Sequence, residues 1–270
     1  MLELPEIEQY RTALAARIVE KRVTAISFGA ASELEVCGKS IEEHAIGKTV
    51  LFVERRGKHL NLHLDNGKRL LIKVSNQVKL AIHAEQAEMA SNGQVSISFE
   101  QITLIIDGVS SDDLQVLSMK EVEEQLAGIG IDPLDKRLTL NRFKKLFAKK
   151  RGALKTALAD QQLLSGIGQV YADEIAFDSG VRPDLKIPMI SDEQWERLYS
   201  SMQRVLQESI ASGGLNETAA ACNDREAVYE GMLRVVERAG QPCVVCGQTI
   251  EKLLISSKKT YCCPGCQSEA

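Results

Sequence analysis

No stretch of the 270 residues approaches the ~20 consecutive apolar residues needed to cross a bilayer. The opening residues, Met1-Leu2-Glu3-Leu4-Pro5-Glu6, carry acids where a secretory signal would carry basic residues. Both absences predict a soluble protein of the cell interior. There is no internal repeat and no low-complexity tract. A surplus of positive charge is also missing. The net charge is −4, which excludes bulk attraction to polyanions, so any nucleic-acid binding has to come from a local concentration of Lys and Arg. Cysteine is nearly absent before residue 243, where only Cys37 and Cys222 occur and read as lone buried thiols. That scarcity excludes a disulfide framework spread through the chain.

What remains is ordinary globular composition, 44% hydrophobic and 26% charged, too apolar for a disordered chain and long enough for two cores. Apolar spacing at Ile7, Leu14 and Ile18, with Pro5 and Glu6 in the first turn, predicts an amphipathic helix over 5–21. From Val23 to Ile106 the pattern becomes short apolar runs at 50–53, 59–64, 69–74, 95–99 and 102–106. Hairpin signals at Asp65-Asn66-Gly67 and Ser91-Asn92-Gly93 punctuate them, which predicts an antiparallel sandwich or barrel. After Asp112 the period turns helical, with segments near 119–127, 139–148, 153–160, 168–178, 191–211 and 224–238. Gly128-Ile129-Gly130-Ile131-Asp132-Pro133 is the predicted linker. The expected class is α+β. Its parts are an N-terminal β-domain over 1–127, a helical domain over 128–239, and a metal-dependent segment over 240–270 too short for a core of its own.

Cys243-x2-Cys246, sixteen residues, then Cys263-x2-Cys266 has the spacing of two zinc knuckles closing a hairpin around one structural Zn²⁺. Four Cys ligands leave no open position for catalysis. A Cys262-x3-Cys266 pairing is the alternative, and the symmetric spacing favours Cys263. Nine basic residues and no acid lie between Lys136 and Lys155. Such a segregated block reads as a phosphate-contacting face, with a merely solvated helix as the other reading. Arg55-Arg56-Gly57-Lys58 and Lys258-Lys259 add two further basic sites, which suggests a groove between domains. The turn Ser165-Gly166-Ile167-Gly168-Gln169-Val170-Tyr171 at a helix start offers backbone amides as a phosphate cradle.

Glu3-Leu4-Pro5-Glu6-Ile7-Glu8, Arg55-Arg56-Gly57-Lys58, the glycine turn through Glu174 and the Cys266-Gln267 ending together resemble the formamidopyrimidine-DNA glycosylase/endonuclease VIII family, in order across the whole chain. The resemblance implies an N-terminal β-sandwich with flanking helices, a helix-two-turns-helix module and a zinc hairpin, with DNA in the cleft between domains. It implies catalytic roles for Glu3, Glu6, Lys58 and the residue at position 2. For DNA contact it implies Arg55, Arg56, Lys155, Gly168, Gln169, Tyr171, Glu174 and Lys258. Ordinary helix N-terminal charge is the competing account of Glu3 and Glu6.

The chain departs from the family where the chemistry is most exacting. The family attacks the sugar C1′ with the amine of an N-terminal proline, and here that position is Leu2. Removal of an initiator Met favours a small second residue, so Met1 is expected to stay and to displace the amine by one residue, about 3.8 Å. Gln169 replaces an Asn, and Lys258 replaces an Arg with its bidentate fork. The segments Val74-Ser75-Asn76-Gln77 and Asp107-Gly108-Val109-Ser110-Ser111 carry no Met, Arg or Phe to fill the space of a flipped base. The sequence therefore predicts a monomeric, cytoplasmic, nucleoid-associated DNA-repair glycosylase of altered or monofunctional chemistry acting on damaged DNA. A DNA-binding protein that lost catalysis is the alternative, and a zinc-bearing RNA or protein-interaction module is more remote.

Overall fold

The computed structural model describes residues 2–29, 40–83, 94–215 and 233–267. Met1, Cys37, Cys222, the turn signal at 91–93 and most of the expected helix at 224–238 fall outside the described residues.

Helix α1, Leu4–Ile18, starts with Pro5 in its first turn, and the Glu6 carboxylate accepts the N–H of Glu3 at 2.9 Å, satisfying one of the orphan donors of a helix start. Eight strands follow: β1 Val23–Phe28, β2 Val50–Arg56, β3 His59–Leu64, β4 Lys68–Lys73, β5 Lys79–His83, β6 Gln94–Phe99, β7 Ile102–Asp107 and β8 Leu114–Ser118. They form two antiparallel four-stranded sheets, β1-β6-β7-β5 and β2-β3-β4-β8. Their alternating inward residues, among them Val53, Leu62, Ile72, Ile97 and Leu104, close one core with Ile7 and Leu14 of α1 between and beside the sheets. Strand β8 lies in a stretch whose sequence reads as helical. It is a strand because Leu114 and Val116 pair with Ile72 and Leu70 of β4, a partner more than forty residues away that the local period cannot reveal.

Helices α2 Met119–Gln125, α3 Leu140–Phe147, α4 Leu154–Leu158, α5 Gln169–Asp178 and α6 Asp192–Ala211 make up the second half. Phe143, Phe147, Tyr171, Ile175, Trp195 and Leu198 fill a second core. Residues 233–238 form bends and turns where a helix is expected from the sequence. Strands β9 Glu251–Ile255 and β10 Lys258–Cys262 form the terminal hairpin. The chain's start and helix α1 belong to both halves, since Leu2 and Ile7 pack into the sandwich while Leu4 packs into the helical core. The Leu4 N–H donates to the Gly166 carbonyl at 2.8 Å, and this stitches the chain's start onto the glycine turn.

Candidate active site and nucleic-acid cleft

Glu3 is fully buried, and its carboxylate is held by the first turn of α5. Gly168 N–H donates to Oε2 at 2.6 Å, Tyr171 N–H to Oε2 at 3.2 Å, and Val170 N–H to Oε1 at 3.0 Å. A helix N-terminus is an anion site, and here the anion is a side chain of the same protein. This corrects the expectation that the Gly168 and Tyr171 amides cradle a DNA phosphate, because Glu3 already occupies them. Gly168 is required by space alone. A Cβ there would stand 2.4 Å from the Glu3 carboxylate. Burial pushes the Glu3 carboxyl up, while the three N–H donors and the charge of Lys58 pull it back.

Glu6 is also buried. It accepts the Tyr171 hydroxyl at 2.5 Å and the Leu215 N–H at 3.3 Å, and Tyr171 Oη sits 2.6 Å from Ser209 Oγ. Tyr171 thus grips Glu3 through its amide and Glu6 through its ring, and is inside the protein instead of on DNA, a second correction. Burial pushes the Glu6 carboxyl up to about 7. An acid whose folded-state value exceeds its unfolded one binds an extra proton when folded, so stability is lost as pH rises from about 4.5 to about 7 and is level beyond. Denaturant midpoints should therefore show Glu6→Gln gaining on the parent through that window, by on the order of 3 kcal/mol in total. A difference between the two proteins that does not change with pH would refute this.

Leu2 takes no exposed position. Its side chain is 7% accessible in the sandwich core, and its backbone nitrogen lies 3.1 Å from Asn76 Oδ1. Beside it opens a cavity of about 350 Å³ lined by Lys58, His59, Lys73, Ser75, Asn76 and Gln161, among others. Of these Lys58 is legible in the sequence as a site residue, and Ser75 and Asn76 as part of the 74–77 segment. His59 and Lys73 come from strand ends that carry no motif, and Gln161 from the far side of the linker. Gly57 sets the Lys58 turn at φ +58°, with the position of a Cβ only 3.0 Å from Ser165 Cβ. The loops at 74–77 and 107–111 pack against each other, Gly108 lying over the Gln77 carbonyl, and present no bulky apolar group to the cleft.

Several expected DNA contacts are placed elsewhere. Arg55 is internal, bound to Glu8 at 2.8 Å and Asp132 at 2.6 Å. Arg56 is partly exposed and pairs with Glu123 at 2.5 Å. Glu174 is buried and collects the N–H groups of Arg234, Val235 and Val236. Lys155 is 1% accessible, with Nζ 2.8 Å from Asp173 and 2.5 Å from the Lys259 carbonyl, while Asp173 also accepts the Tyr261 N–H. It clamps the terminal hairpin to α5 and faces no solvent, so Lys155 leaves the candidate DNA face for a physical reason: burial of its charge is tolerated only by that pairing. Lys155→Met should cost about 3–5 kcal/mol in chemical denaturation by stranding Asp173. It should leave the salt slope of DNA binding unchanged, where a lost phosphate contact would flatten it by about one unit.

The remaining basic block is partly neutralised, since Lys144 pairs with Asp192, Lys150 with Asp160 and Arg137 with Asp135. Lys136, Arg142, Lys145 and Lys149 stay exposed or half-exposed with no ion pair among the described residues. Gln169 is half-buried with an unpaired Oε1, and Lys258 is exposed at the start of β10.

Cys243, Cys246, Cys263 and Cys266 bring their Sγ atoms within 4.8 Å of one another, with separations of 3.8 Å for Cys243–Cys266 and 3.4 Å for Cys246–Cys263. Thiolates ~2.3 Å from a tetrahedral Zn²⁺ stand about 3.8 Å apart, so this donor set fits one structural zinc. Cys262 is buried outside the cluster, which settles the alternative pairing in favour of Cys263.

Residues 1–111 match the formamidopyrimidine-DNA glycosylase N-terminal domain, and residues 129–220 match the formamidopyrimidine-DNA glycosylase H2TH domain. The chain is 30% identical to the formamidopyrimidine-DNA glycosylase of Desulfitobacterium hafniense over 274 residues, covering 99% of this chain and 100% of that protein. The formamidopyrimidine-DNA glycosylase of Listeria monocytogenes is 29% identical over 273 residues, with the same coverage. The fold is that of the Lactococcus lactis Fpg solved with DNA containing an abasic site, with a TM-score of 0.88 at 23% identity over 99% of this chain and all of that one. With the two-sheet sandwich, the helical half and the four-cysteine hairpin matched from end to end, the chain belongs to the formamidopyrimidine-DNA glycosylase family.

Proposed function

We propose that this protein is a DNA glycosylase of base-excision repair that releases damaged bases, binding DNA as a monomer across the cleft between the sandwich and the helical half. Three units divide the work. Residues 1–127 carry the chemistry, 128–239 the main DNA grip, and 240–270 the zinc hairpin that presents Lys258. The observation that carries the reading is the Glu3 carboxylate, clamped by three N–H groups and felt by the charge of Lys58, which itself lines the cleft cavity. A positioned carboxyl whose proton affinity is raised by burial is suited to protonating the sugar and shuttling the proton onward. The related Lactococcus lactis structures are complexes with DNA, and DNA is the partner this cleft fits, held by Lys58, Gln169, Lys258 and the unpaired lysines and arginine of the 136–149 stretch. The site of action is the nucleoid in the cytoplasm.

Two features favour altered chemistry. Leu2 is committed to the core, and the loops at 74–77 and 107–111 offer no wedge to hold a flipped base, whose unstacking costs a few kcal/mol. Substrates that are already unpaired or single-stranded suit such a cleft. The same two features support the second reading, a damaged-DNA-binding protein without catalysis. Release of base from oligonucleotides bearing a formamidopyrimidine, an oxidised purine or an oxidised pyrimidine, each single- and double-stranded, separates them. Release from any of these supports the glycosylase. Salt-sensitive binding to all with release from none leaves the binding protein.

A further inference from the structure

The cleft cavity is lined by two amines among the described residues, those of Lys58 and Lys73. Lys73 is engaged, 3.8 Å from Asp113. Lys58 has no ion-pair partner among the described residues, yet it lies near enough to Glu3 to favour that group's charged form. Its backbone is fixed on both sides. The Lys58 carbonyl accepts the Val74 N–H at 2.8 Å, and Gly57 before it is wedged under Ser165 and Ile129. Position 2, in contrast, is spent on structure, with its side chain in the core and its nitrogen on Asn76.

We propose that Lys58 is the amine of this protein that bonds covalently to abasic-site DNA. The inference rests on the glycosylase reading above and names its nucleophile. Lysine forms imines with carbonyl compounds, and the ring-opened abasic sugar carries an aldehyde at C1′. Lys58 gives one proton to cleft water, and its lone pair forms the Nζ–C1′ bond as the carbonyl pair moves to oxygen, which takes a proton. Loss of water gives the protonated imine. Transfer of a C2′ proton to water then lets the C–H pair form C2′=C3′ while the C3′–O bond breaks, its pair leaving with the 3′-phosphate. Hydrolysis of the unsaturated imine returns the Lys58 amine.

The test is borohydride reduction of the full-length protein with an abasic-site oligonucleotide, followed by proteolysis and mass mapping of the modified peptide. The expected adduct is on Lys58. Lys58→Arg, which keeps the charge, should lose trapping by roughly 10²-fold or more. Its thermal midpoint should stay close to that of the parent. An adduct on the N-terminal amine or on Lys73, or undiminished trapping by Lys58→Arg, overturns the assignment, and so does a complete absence of trapping. Base release is scored separately with alkali-cleaved damaged-base substrates. If release persists while the adduct maps elsewhere, only the Lys58 assignment fails. If neither release nor trapping occurs on any substrate, the glycosylase reading fails with it.

Discussion

Glu3→Gln is expected to slow base release by roughly 10²–10⁴, the range for losing a general acid or base, with little change in DNA affinity. The size follows from how the carboxylate is held. Both oxygens accept main-chain N–H groups of α5, so the –NH₂ of Gln would face one of those donors and leave it unpaired in a buried site. The lost negative charge also removes the favourable interaction with the helix N-terminus. Gly168→Ala reaches the same end by another route. Its Cβ would stand 2.4 Å from the Glu3 carboxylate, so either the side chain or the helix start must move, and release should fall by a similar factor. Gly128→Ala is the control, since no atom lies within 4 Å of its Cβ position. Single-turnover release from one lesion-bearing oligonucleotide checks all three proteins. Full activity in Glu3→Gln would remove Glu3 from the chemistry, and full activity in Gly168→Ala would show that the close approach is not needed.

Removing the metal should have the largest structural effect. The terminal segment packs a small apolar group of Phe177, Val235, Val236, Ile250 and Tyr261, too little to order a hairpin by itself. Zinc binding to such knuckles contributes about 10–16 kcal/mol, nearly all of the segment's stability. Metal analysis should find about one zinc per chain. Chelation or Cys263→Ser should melt residues 240–267, seen as loss of amide-exchange protection in β9 and β10, while Cys262→Ser keeps the metal. The damage should extend beyond the hairpin. Lys155 and Asp173 would lose the Lys259 carbonyl and the Tyr261 N–H, leaving a buried ion pair short of two partners. Persistent protection of the hairpin in metal-free protein would contradict the zinc assignment.

The sequence by itself determined whatever depends on neighbours in the chain. Two Cys-x2-Cys knuckles fix a tetrahedral site because each supplies both ligands of one edge within a single turn. The Asp65-Asn66-Gly67 turn joins β3 to β4 because its residues tolerate the turn geometry. Apolar period separated sandwich from helices except at β8, where strand pairing came from β4. Tertiary structure alone decided which charges face inward and what they meet. Lys155 reads as one of nine cations in a basic block, but its partners lie 18 and 104 residues away, and only their arrival makes burial of its charge tolerable. The glycine turn reads as a phosphate cradle because its amides are free in sequence terms. Glu3, 165 residues earlier in the chain, fills them, since a helix N-terminus stabilises whichever anion the fold delivers to it.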